Sequence, residues 1–460
     1  MEKFDTIIIG FGKAGKTLAN FLNKKGETVA LIEQSPKMYG GTCINVACLP
    51  SKNLIIAAER KPENTDNSQY YTQAVQNKKA IISQLNQGNY HNVADLDKAQ
   101  VIDGRAFFKD PHTITIKTDS NASLDVYGNK IIINTGSLPT IPEKIENLSE
   151  LVKKGKPFYT SETLMDEENY PETLTIIGDG FIGLEFASMF NQFGTQVTIL
   201  SHHKQSAFLA KEDTEVAEAV YTAMVSQGIK FIFEAHTVKA QAKEGQAILS
   251  YKQNEEEIDI VSEAVLVAVG RHANTQGLAL ENAGVEINDN QSIKINKYLQ
   301  TTQDHIFAVG DVNGGPQHTY ISLDDNRILQ SYLYGDKSYH LDNRKQTPSA
   351  TFIEPPLASV GLTEKQATAA GYQIKTAVLE VKDIPKAKIA YRTTGIYKAV
   401  VDAQTNQILG VRLFGEEAHE MINIVVTAMN ANLPYTDLRD QIYTHPTMSE
   451  ALNDLFGKIE

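Results

Sequence analysis

The chain has 460 residues, enough for about three domains at roughly 150 residues each. Hydrophobic residues make up 42% of it and the net charge is −13, so it can bury ordinary cores, and a nucleic acid or an anionic membrane is disfavoured as a partner. No apolar run approaches the roughly 20 residues that a transmembrane helix needs, and no signal-peptide pattern precedes the first strand-like run. We therefore expect a cytoplasmic protein that acts neither on nucleic acid nor at a membrane.

The first predicted unit, residues 5–33, is a strand, a glycine turn, an amphipathic helix and a second strand. The turn carries Gly10, Gly12 and Gly15, and the second strand ends at Glu33. Such a unit binds the pyrophosphate of a dinucleotide at the helix N-terminus, and the acidic residue accepts hydrogen bonds from the ribose diol. The pattern therefore predicts a dinucleotide site.

Both cysteines of the sequence, Cys43 and Cys48, lie in segment 40–52, GGTCINVACLPSK. A spacing of five residues in a helix gives about 7.5 Å of rise, whereas a disulfide needs Cα atoms about 4.4–6.8 Å apart. The segment must therefore distort to join them, and Pro50 opposes a regular helix. A strained, readily reduced bond suits a redox pair, and two unremarkable thiols are the alternative. Two cysteines with no histidine nearby do not make a four-ligand zinc site, so we expect no metal site.

The next 80 residues carry three weaker patterns. Residues 61–71 are polar and predict a surface connection, and residues 78–96 predict a helix. Residues 107–127 alternate apolar and polar side chains, which is typical of antiparallel strands.

A second copy of the first unit follows at residues 174–201. Its glycines stand at the same offsets: Gly178, Gly180, Gly183 and Gly194 match Gly10, Gly12, Gly15 and Gly26. The helix of each unit is predicted to end at its last glycine, in left-handed backbone. Ser201 stands where Glu33 stood, and His202, His203 and Lys204 follow. Without a carboxylate a ribose 2′-phosphate is not repelled, so this unit favours NADPH over NADH; a solvated basic loop is the alternative.

Residues 347–460 carry no glycine turn of this kind and predict a third domain. Strand-like runs at 399–402 and 408–414 precede a predicted helix at 417–431. Near the end, His445 is followed five residues later by Glu450. A histidine oriented by a carboxylate is a candidate general acid–base.

Segment 40–52 resembles the redox-active segment of the flavoprotein disulfide reductases, which include dihydrolipoamide dehydrogenase, glutathione reductase and mercuric reductase. Four further segments carry the resemblance: 132–137 (IINTGS), 267–271 (VAVGR), 306–311 (IFAVGD) and 352–364 (FIEPPLASVGLTE). The resemblance implies an α/β fold with two Rossmann-like domains, for FAD and NAD(P)H, and an α+β C-terminal dimerisation domain. The implied bounds are 1–145 with 270–340 for the FAD domain, 146–269 for the NAD(P)H domain and 341–460 for the dimerisation domain.

The resemblance also implies roles for individual residues. Cys48 is implied to be the thiol beside the flavin, and Cys43 the thiol that attacks the substrate. Lys52, paired with Glu185, is implied to support reduction of the flavin.

His445, held by Glu450, is implied to reach the cysteine pair of the other subunit, so that a homodimer has two shared active sites. The implied cofactor-binding residues are Gly10, Gly12, Gly15, Glu33, Thr42, Thr135, Gly136, Gly178, Gly180, Gly183, His202, His203, Lys204, Gly270, Arg271, Gly310 and Asp311.

The C-terminal stretch 443–456, YTHPTMSEALNDLF, resembles that of the bacterial reactive-chlorine-resistance flavoproteins, described as hypothiocyanous acid reductases and in some cases as copper(II) reductases. This resemblance implies a small oxidant as substrate and a role in oxidative-stress defence. Copper(II) or mercury(II) reduction remains the alternative, although mercuric reductases add a second cysteine pair near the C-terminus.

Other members of the family fit the sequence less well. Dihydrolipoamide dehydrogenase usually has glycine at the position of Ala47 and an acidic residue at that of Ser201, and no match to the substrate-binding residues of glutathione reductase is evident. An NAD(P)H oxidase and a non-enzymatic redox sensor remain as other classes, and a sensor would have no need of the histidine–glutamate pair.

Overall fold

The computed structural model describes residues 1–118, 120 and 122–460. The strands of this part of the chain are, in order, β1 (Glu2–Ile9), β2 (Val29–Glu33), β3 (Ala99–Asp103), β4 (Arg105–Phe108), β5 (Thr113–Lys117), β6 (Ser123–Ile133), β7 (Ser137–Pro139), β8 (Phe158–Thr160), β9 (Thr173–Ile177), β10 (Gln196–Leu200), β11 (Lys230–Ile232), β12 (His236–Lys243), β13 (Gln246–Gln253), β14 (Glu256–Ser262), β15 (Ala264–Val267), β16 (Arg271–Ala273), β17 (Ile306–Ala308), β18 (Ser349–Thr351), β19 (Leu357–Gly361), β20 (Ile374–Glu380), β21 (Ile396–Asp402) and β22 (Ile408–Phe414).

The α-helices of the same residues are, in order, α1 (Lys13–Lys24), α2 (Thr42–Asn45), α3 (Cys48–Glu59), α4 (Asn67–Ala94), α5 (Leu148–Lys154), α6 (Ser161–Leu164), α7 (Phe181–Phe193), α8 (Thr214–Ser226), α9 (Thr319–Tyr334), α10 (Glu364–Ala369), α11 (Pro385–Ala390), α12 (Ala418–Asn430), α13 (Tyr435–Asp440) and α14 (Ala451–Gly457). Short 3₁₀ turns lie at Pro36–Met38, Gln205–Ala207, Leu280–Ala283, Gly310–Asn313, Leu341–Asn343 and Val381–Asp383. Each helix in the described part is too short or too polar to cross a lipid bilayer.

The first domain is built on a seven-stranded sheet. Its order is β3-β2-β1-β6-β5-β4, and β17 pairs with β6, so the chain returns to this sheet late in the sequence. The first four strands of this order and β17 run parallel, whereas β4, β5 and β6 pair antiparallel, as predicted for residues 107–127. Ile8 pairs with Leu31 on one side and with Ile132 on the other, and all three are fully buried. Strands of this kind lie inside the fold because helices cover both faces of a parallel sheet.

The second domain repeats this plan with a five-stranded parallel sheet, β11-β10-β9-β15-β8. Helix α7 connects β9 to β10 and ends at Gly194, whose φ of 108° is left-handed. Helix α1 of the first domain is likewise followed by Gly26 at φ 88°. The predicted glycine ends of both helices are therefore confirmed. A three-stranded antiparallel sheet, β12-β13-β14, packs beside the parallel one.

The third domain has a five-stranded antiparallel sheet, β18-β19-β22-β21-β20. The two strands and the helix predicted here are confirmed as β21, β22 and α12. Helix α12 buries Met421, Ile422 and Val425 in the core formed with this sheet.

A cluster of ion pairs around two buried cations joins the second domain to the third. Lys398 of β21 has a side chain only 2% exposed, and its ammonium lies 2.5 Å from Glu215 and 2.6 Å from Glu364. Arg412 of β22 pairs with Glu212 at 3.1 Å. Glu212 and Glu215 flank the start of α8, so these ion pairs fix one end of the second domain to the third-domain sheet.

The predicted surface connection at 61–71 is wrong in its second half. Helix α4 begins directly after Asp66, whose carboxylate accepts a hydrogen bond from the Gln69 N–H at 2.7 Å. Tyr71 is fully buried, with its ring 5.1 Å from that of Phe193. The first turn of this helix is polar because much of it faces solvent, and composition alone does not separate such a turn from a loop.

Candidate active site at a cleft between the three domains

A cleft with a volume of about 1690 Å³ lies where the three domains meet, and we call it the central cleft. The predicted site residues that line it are Gly10, Gly12, Glu33, Thr42, Cys43, Cys48, Lys52, Thr135, Gly136, Gly178, Gly180, Glu185, His202, His203, Gly270, Arg271, Gly310 and Asp311. Gly15, Gly183, Lys204, His445 and Glu450 are not part of this lining.

The first glycine turn connects β1 to α1 and is held by Asn134, which follows β6. Gly12 is the N-cap of α1 and makes no side-chain cap, and the Ala14 N–H donates to the Ser322 hydroxyl at 3.2 Å, so the N–H groups before Ala14 are the ones left for a ligand. The Gly15 N–H donates to the Asn134 amide oxygen at 2.8 Å, and a Cβ at Gly12 or Gly15 would meet that oxygen at 2.8 Å. Gly15 therefore serves the packing behind the turn.

Glu33 lies at the cleft end of β2. Its carboxylate accepts hydrogen bonds from the N–H of Phe11 at 3.0 Å and of Ser35 at 3.2 Å. Burial raises the pKa of Glu33, and these donors oppose the shift. A carboxylate held beside a glycine turn and an open helix N-terminus fits the ribose and pyrophosphate of a dinucleotide.

The cysteine segment crosses directly over this turn. Gly41 has a left-handed φ of 77°, and a Cβ there would meet the Cα of Gly12 at 2.7 Å. The expected distortion is present, because the chain forms two helices, α2 and α3, that are broken at Val46 and Ala47. Pro50 does not cause the break; it lies in the first turn of α3, where the missing N–H costs little.

Cys43 and Cys48 are free, half-buried thiols. The Cys43 thiol as a hydrogen-bond donor is the main cause that lowers the pKa of Cys48 to about 6, with the Thr319 hydroxyl and the Lys52 charge helping and burial opposing. The same hydrogen bond, with burial, raises the pKa of Cys43. The pair therefore loses its first proton readily, which leaves a thiolate on Cys48 and a thiol on Cys43.

Lys52 lies one turn after Cys48 on α3 and pairs with Glu185 of α7 at 2.6 Å. Its ammonium also lies over the ring of Phe352, 4.6 Å from the centroid. Glu185 accepts the Phe352 N–H at 2.9 Å. This cluster brings all three domains to the thiol pair, and it contains the pairing of Lys52 with Glu185 that the sequence implied.

The chain crosses from the first domain to the second after β7 and returns at β16, and both of these strands contribute to the cleft lining. Strands β7 and β16 pair there, and Arg271 donates to the Ser137 hydroxyl at 2.9 Å and to Glu162 at 2.8 Å. Ser137 in turn donates to Asp311 at 2.7 Å. Asp311 is thereby fixed in the cleft wall with oxygen lone pairs that can accept further hydrogen bonds.

The hydrogen bonds of Thr135 and Gly136 hold the first crossing to Asn274. The Thr135 hydroxyl donates to the Asn274 carbonyl at 2.7 Å, and the Asn274 N–H donates to the Gly136 carbonyl at 2.9 Å. Gly310 is fixed by its N–H, which donates to Asp325 at 2.7 Å. These backbone contacts place the predicted residues along one wall of the cleft.

The second glycine turn has the same geometry as the first. Gly178 has φ 109°, Gly180 is an uncapped N-cap, and a Cβ at Gly183 would meet the Gly178 carbonyl at 2.2 Å. At the end of the following strand, Ser201 is fully buried and donates to Asp179 at 2.8 Å. This open helix N-terminus fits a second pyrophosphate.

Of the three side chains that follow this strand, two line the cleft and one faces solvent. His202 and His203 line the cleft with their ring centroids 3.8 Å apart. Burial and the neighbouring His203 lower the pKa of His202. Lys204 is exposed and lies outside the lining, and its place in the cofactor site stays a prediction.

His445 and Glu450 form the expected pair, with Nδ1 of the histidine 2.8 Å from the glutamate. The Thr447 N–H also donates to Glu450, at 3.3 Å. The His445 side chain is 71% exposed, and neither residue of the pair lines the central cleft. This chain therefore does not bring the pair to its own thiols.

Sequence reasoning missed four residues that shape the site: Asn134, Asp179, Thr319 and Phe352. Asn134, Asp179 and Phe352 stand inside segments that the sequence analysis already marked. Thr319, whose hydroxyl is 3.6 Å from the Cys48 sulfur, begins α9 and lies 271 positions away in the chain. No local pattern connects it to the cysteines.

Two glycine turns that open on one cleft, with a dithiol on its wall, define an oxidoreductase that couples dinucleotides to thiol chemistry. Residues 4–325 match the family of pyridine nucleotide-disulphide oxidoreductases, and residues 347–456 match the dimerisation domain of that family. The chain therefore belongs to the pyridine nucleotide-disulphide oxidoreductase family.

Comparison with individual proteins shows which members of the family this chain is similar to. The chain is 43% identical over 460 residues to the probable pyridine nucleotide-disulfide oxidoreductase RclA of Escherichia coli, with all of both chains covered. A solved Cu(II) complex of the HOCl-induced flavoprotein disulfide reductase RclA from Escherichia coli matches with a TM-score of 0.93 and 42% identity, again over all of both chains. Mercuric reductase of Staphylococcus aureus is 32% identical over 98% of this chain and 81% of its own length.

These findings establish the class of enzyme and its fold. The chain is an NAD(P)H-dependent flavoprotein disulfide oxidoreductase with two nucleotide-binding α/β domains and a C-terminal dimerisation domain.

Proposed function

We propose that the enzyme reduces a small electrophilic oxidant at Cys43 and Cys48, and that this oxidant is hypothiocyanous acid. The observation that carries the proposal is a pair of half-buried thiols, with the pKa of Cys48 lowered and that of Cys43 raised, on the wall of a cleft that also holds both glycine turns. We place this activity in the cytoplasm, where reducing conditions keep such thiols free, as a defence against oxidative stress.

Both dinucleotides have residues that fit them. The uncapped N-termini of α1 and α7 suit the two pyrophosphates, Glu33 suits a ribose diol, and Asp311 offers acceptor oxygens for the hydroxyls of FAD. Bound FAD supplies the two-electron link between NAD(P)H and the disulfide. The remaining chemistry belongs to the side chains of the protein.

The thiols reduce the oxidant in two exchange steps. The Cys43 sulfur attacks the sulfur of hypothiocyanous acid, which breaks the S–O bond and releases hydroxide that is protonated to water. The Cys48 thiolate then attacks the Cys43 sulfur, forms the disulfide and releases thiocyanate. Two thiols are oxidised, one oxidant is reduced by two electrons, and no large substrate has to enter the cleft.

The first of these steps needs a base, because the pKa of Cys43 is raised by its hydrogen bond to Cys48 and by burial. His445 and Glu450 form a suitable acid–base pair, but they lie outside the cleft of their own chain. We therefore propose that the pair acts across a homodimer, at the thiols of the partner subunit. The match of residues 347–456 to a dimerisation domain supports this assembly.

The choice of oxidant rests on the resemblance of the C-terminal stretch to the reactive-chlorine-resistance flavoproteins. The similarity to RclA, described as HOCl-induced, supports it, since hypothiocyanous acid belongs to the same class of reactive oxidants.

Copper(II) reduction is the second candidate, because the similar RclA structure was solved as a Cu(II) complex. Thiolates are ligands that copper favours. Mercury(II) reduction is less well supported, since the sequence has only two cysteines and mercuric reductases carry an additional pair.

A substrate panel tests the proposal directly. Reconstituted holoenzyme is given NADH or NADPH under anaerobic conditions with hypothiocyanous acid, lipoamide, glutathione disulfide, copper(II) or mercury(II), and coenzyme oxidation is followed. We expect hypothiocyanous acid to give the highest kcat/KM, and the C43S variant to lose that activity with its flavin still bound.

Three results would contradict the proposal: full activity in C43S, a higher kcat/KM with lipoamide or with a metal ion, and a flavin that is reduced by coenzyme but never reoxidised by any member of the panel. The last result would point to a redox sensor.

A further inference from the structure

Both nucleotide-binding units have a carboxylate beside the glycine turn, but it stands at the strand end in the first unit and between the first two glycines in the second. In the first unit the carboxylate is Glu33, at the strand end, and it accepts a hydrogen bond from the backbone of Phe11, between the first two glycines, at 3.0 Å. In the second unit the residue between the glycines is Asp179, and it accepts a hydrogen bond from Ser201, at the strand end, at 2.8 Å. Each turn therefore has a carboxylate between the glycine loop and the end of the second strand.

Asp179 is placed to meet a ligand. It is half-buried and lines the central cleft, whereas Ser201 is fully buried beneath it. A carboxylate accepts about four hydrogen bonds, so the single bond from Ser201 orients Asp179 and leaves acceptor capacity. The His203 N–H donates to the Ser201 oxygen at 3.2 Å, which fixes the serine in turn.

His202, beside Asp179, offsets this negative charge poorly near neutral pH. The pKa of His202 is lowered by burial and by His203, so its ring is largely uncharged there. Lys204 lies outside the cleft lining, and Lys211, which does line the cleft, is exposed to solvent. A 2′-phosphate at this position would meet a fixed carboxylate and no buried cation from this loop.

We propose that Asp179 selects NADH over NADPH, by accepting hydrogen bonds from the 2′- and 3′-hydroxyls of the adenosine ribose and repelling a 2′-phosphate. The inference rests on the proposed function in one respect, that the second glycine turn binds the coenzyme. It replaces the preference for NADPH that the sequence suggested, because that preference assumed that the loss of an acidic residue at position 201 left the site without a carboxylate.

The test measures binding without redox turnover. Isothermal titration calorimetry of the FAD-loaded enzyme with ADP-ribose and with its 2′-phosphate gives two Kd values and their ratio. We expect the wild-type enzyme to bind ADP-ribose more tightly, and D179N to shift the ratio towards the 2′-phosphate by at least about tenfold. D179N keeps an acceptor for Ser201, so the fold of the turn is preserved.

Three further variants separate the role of Asp179 from general charge effects. S201A removes the hydrogen bond that orients Asp179 and should shift the ratio in the same direction by a smaller factor. E420Q removes a negative charge from another part of the cleft lining and should leave the ratio unchanged. K211M should also leave it near the wild-type value.

An unchanged ratio in D179N, a wild-type preference for the 2′-phosphate, or a shift in E420Q as large as that in D179N would each overturn the inference. If neither fragment binds the wild-type enzyme at millimolar concentration, the coenzyme site itself is misplaced, and the proposed function fails together with the inference.

Discussion

Helices α2 and α3 carry the same chemical group at similar depth in the central cleft, yet they give it opposite proton affinities. Cys48 is the first residue of α3, a 12-residue helix, where the free N–H groups and the helix dipole favour an anion. Cys43 lies in α2, which has four residues, and its thiol donates to the Cys48 sulfur. The comparison teaches that environment rather than sequence spacing separates the two thiols, so that Cys48 holds the charge and Cys43 keeps its proton.

The largest test of this comparison removes one thiol at a time. C43S and C48S should each lower turnover with the oxidant by at least about 10³-fold, because neither variant can form the disulfide. The remaining thiols should differ. In C43S the serine hydroxyl still donates to Cys48, so iodoacetamide should trap Cys48 as thiolate above about pH 6 and lose reactivity as the pH falls through that value.

In C48S, Cys43 should become reactive only at a distinctly higher pH. Equal pH midpoints for the two single-cysteine variants would show that their environments do not divide the roles.

The second test concerns the base that Cys43 needs. H445Q should lower kcat with hypothiocyanous acid by about 10²-fold, while reduction of the flavin by the coenzyme stays near the wild-type rate. The measurement is steady-state and single-turnover kinetics of the same preparation.

Mixed dimers show on which chain the histidine acts. A dimer of one C43S chain and one H445Q chain has one complete site if His445 serves its partner, and no complete site if it serves its own chain. Random mixing of equal amounts should recover about a quarter of the wild-type activity, and purified mixed dimers about half, because each mixed dimer has one complete site of two. No recovery would place the histidine in its own subunit.

The third test removes the positive charge of Lys52 beside Cys48. K52M should raise the pKa of Cys48, since the Lys52 ammonium helps to lower it. It should also reduce the free energy of unfolding by about 2 kcal/mol, less than the roughly 3–5 kcal/mol typical of a broken buried ion pair, because the Lys52 side chain is 26% exposed.

Thiol alkylation against pH and denaturant unfolding measure these two effects. The double variant K52M/E185Q should recover part of the stability and a smaller part of the low pKa of Cys48, because the Glu185 charge raises that pKa by less than the Lys52 charge lowers it. Full recovery of the low pKa would mean that Lys52 acts on the thiol only by neutralising Glu185.

The smallest expected effect is that of T319V. Loss of the hydroxyl near Cys48 should remove about 1 kcal/mol of thiolate stabilisation, which raises the pKa of Cys48 by roughly one pH unit or less. The pH profile of alkylation in C43S/T319V, compared with C43S, gives the shift. T319S keeps the hydroxyl and should behave like C43S alone, whereas a similar shift in T319S would indicate a packing effect.

The sequence predicted those parts of the molecule in which a short segment holds all the residues that the chemistry needs, at a fixed spacing. Glycine turns need small residues at fixed offsets, and the distortion between Cys43 and Cys48 follows from helix geometry. The exposed start of α4 was missed because a polar helical turn and a polar loop have the same composition. Thr319 was missed because its contact with Cys48 is made by the fold, across 271 positions of chain.

The second glycine turn shows a subtler limit. Motif reasoning looked for an acidic residue at the strand end, found Ser201, and inferred a site without a carboxylate. In three dimensions Asp179 supplies one from the other side of the same hydrogen bond. Both units have a carboxylate between the glycine turn and the end of the second strand, but it comes from a different sequence position in each. A rule that looks for an acidic residue at one position does not detect this.

The Lys398 and Arg412 ion pairs have a mechanical consequence. They join the start of α8 to the third-domain sheet, and because Lys398 and Arg412 are buried while Glu215 is 39% exposed, mobile salt screens them only in part. The second and third domains should consequently move together as one block against the first domain. Any widening of the central cleft would then bend the chain where β7 and β16 pair, between the first and second domains.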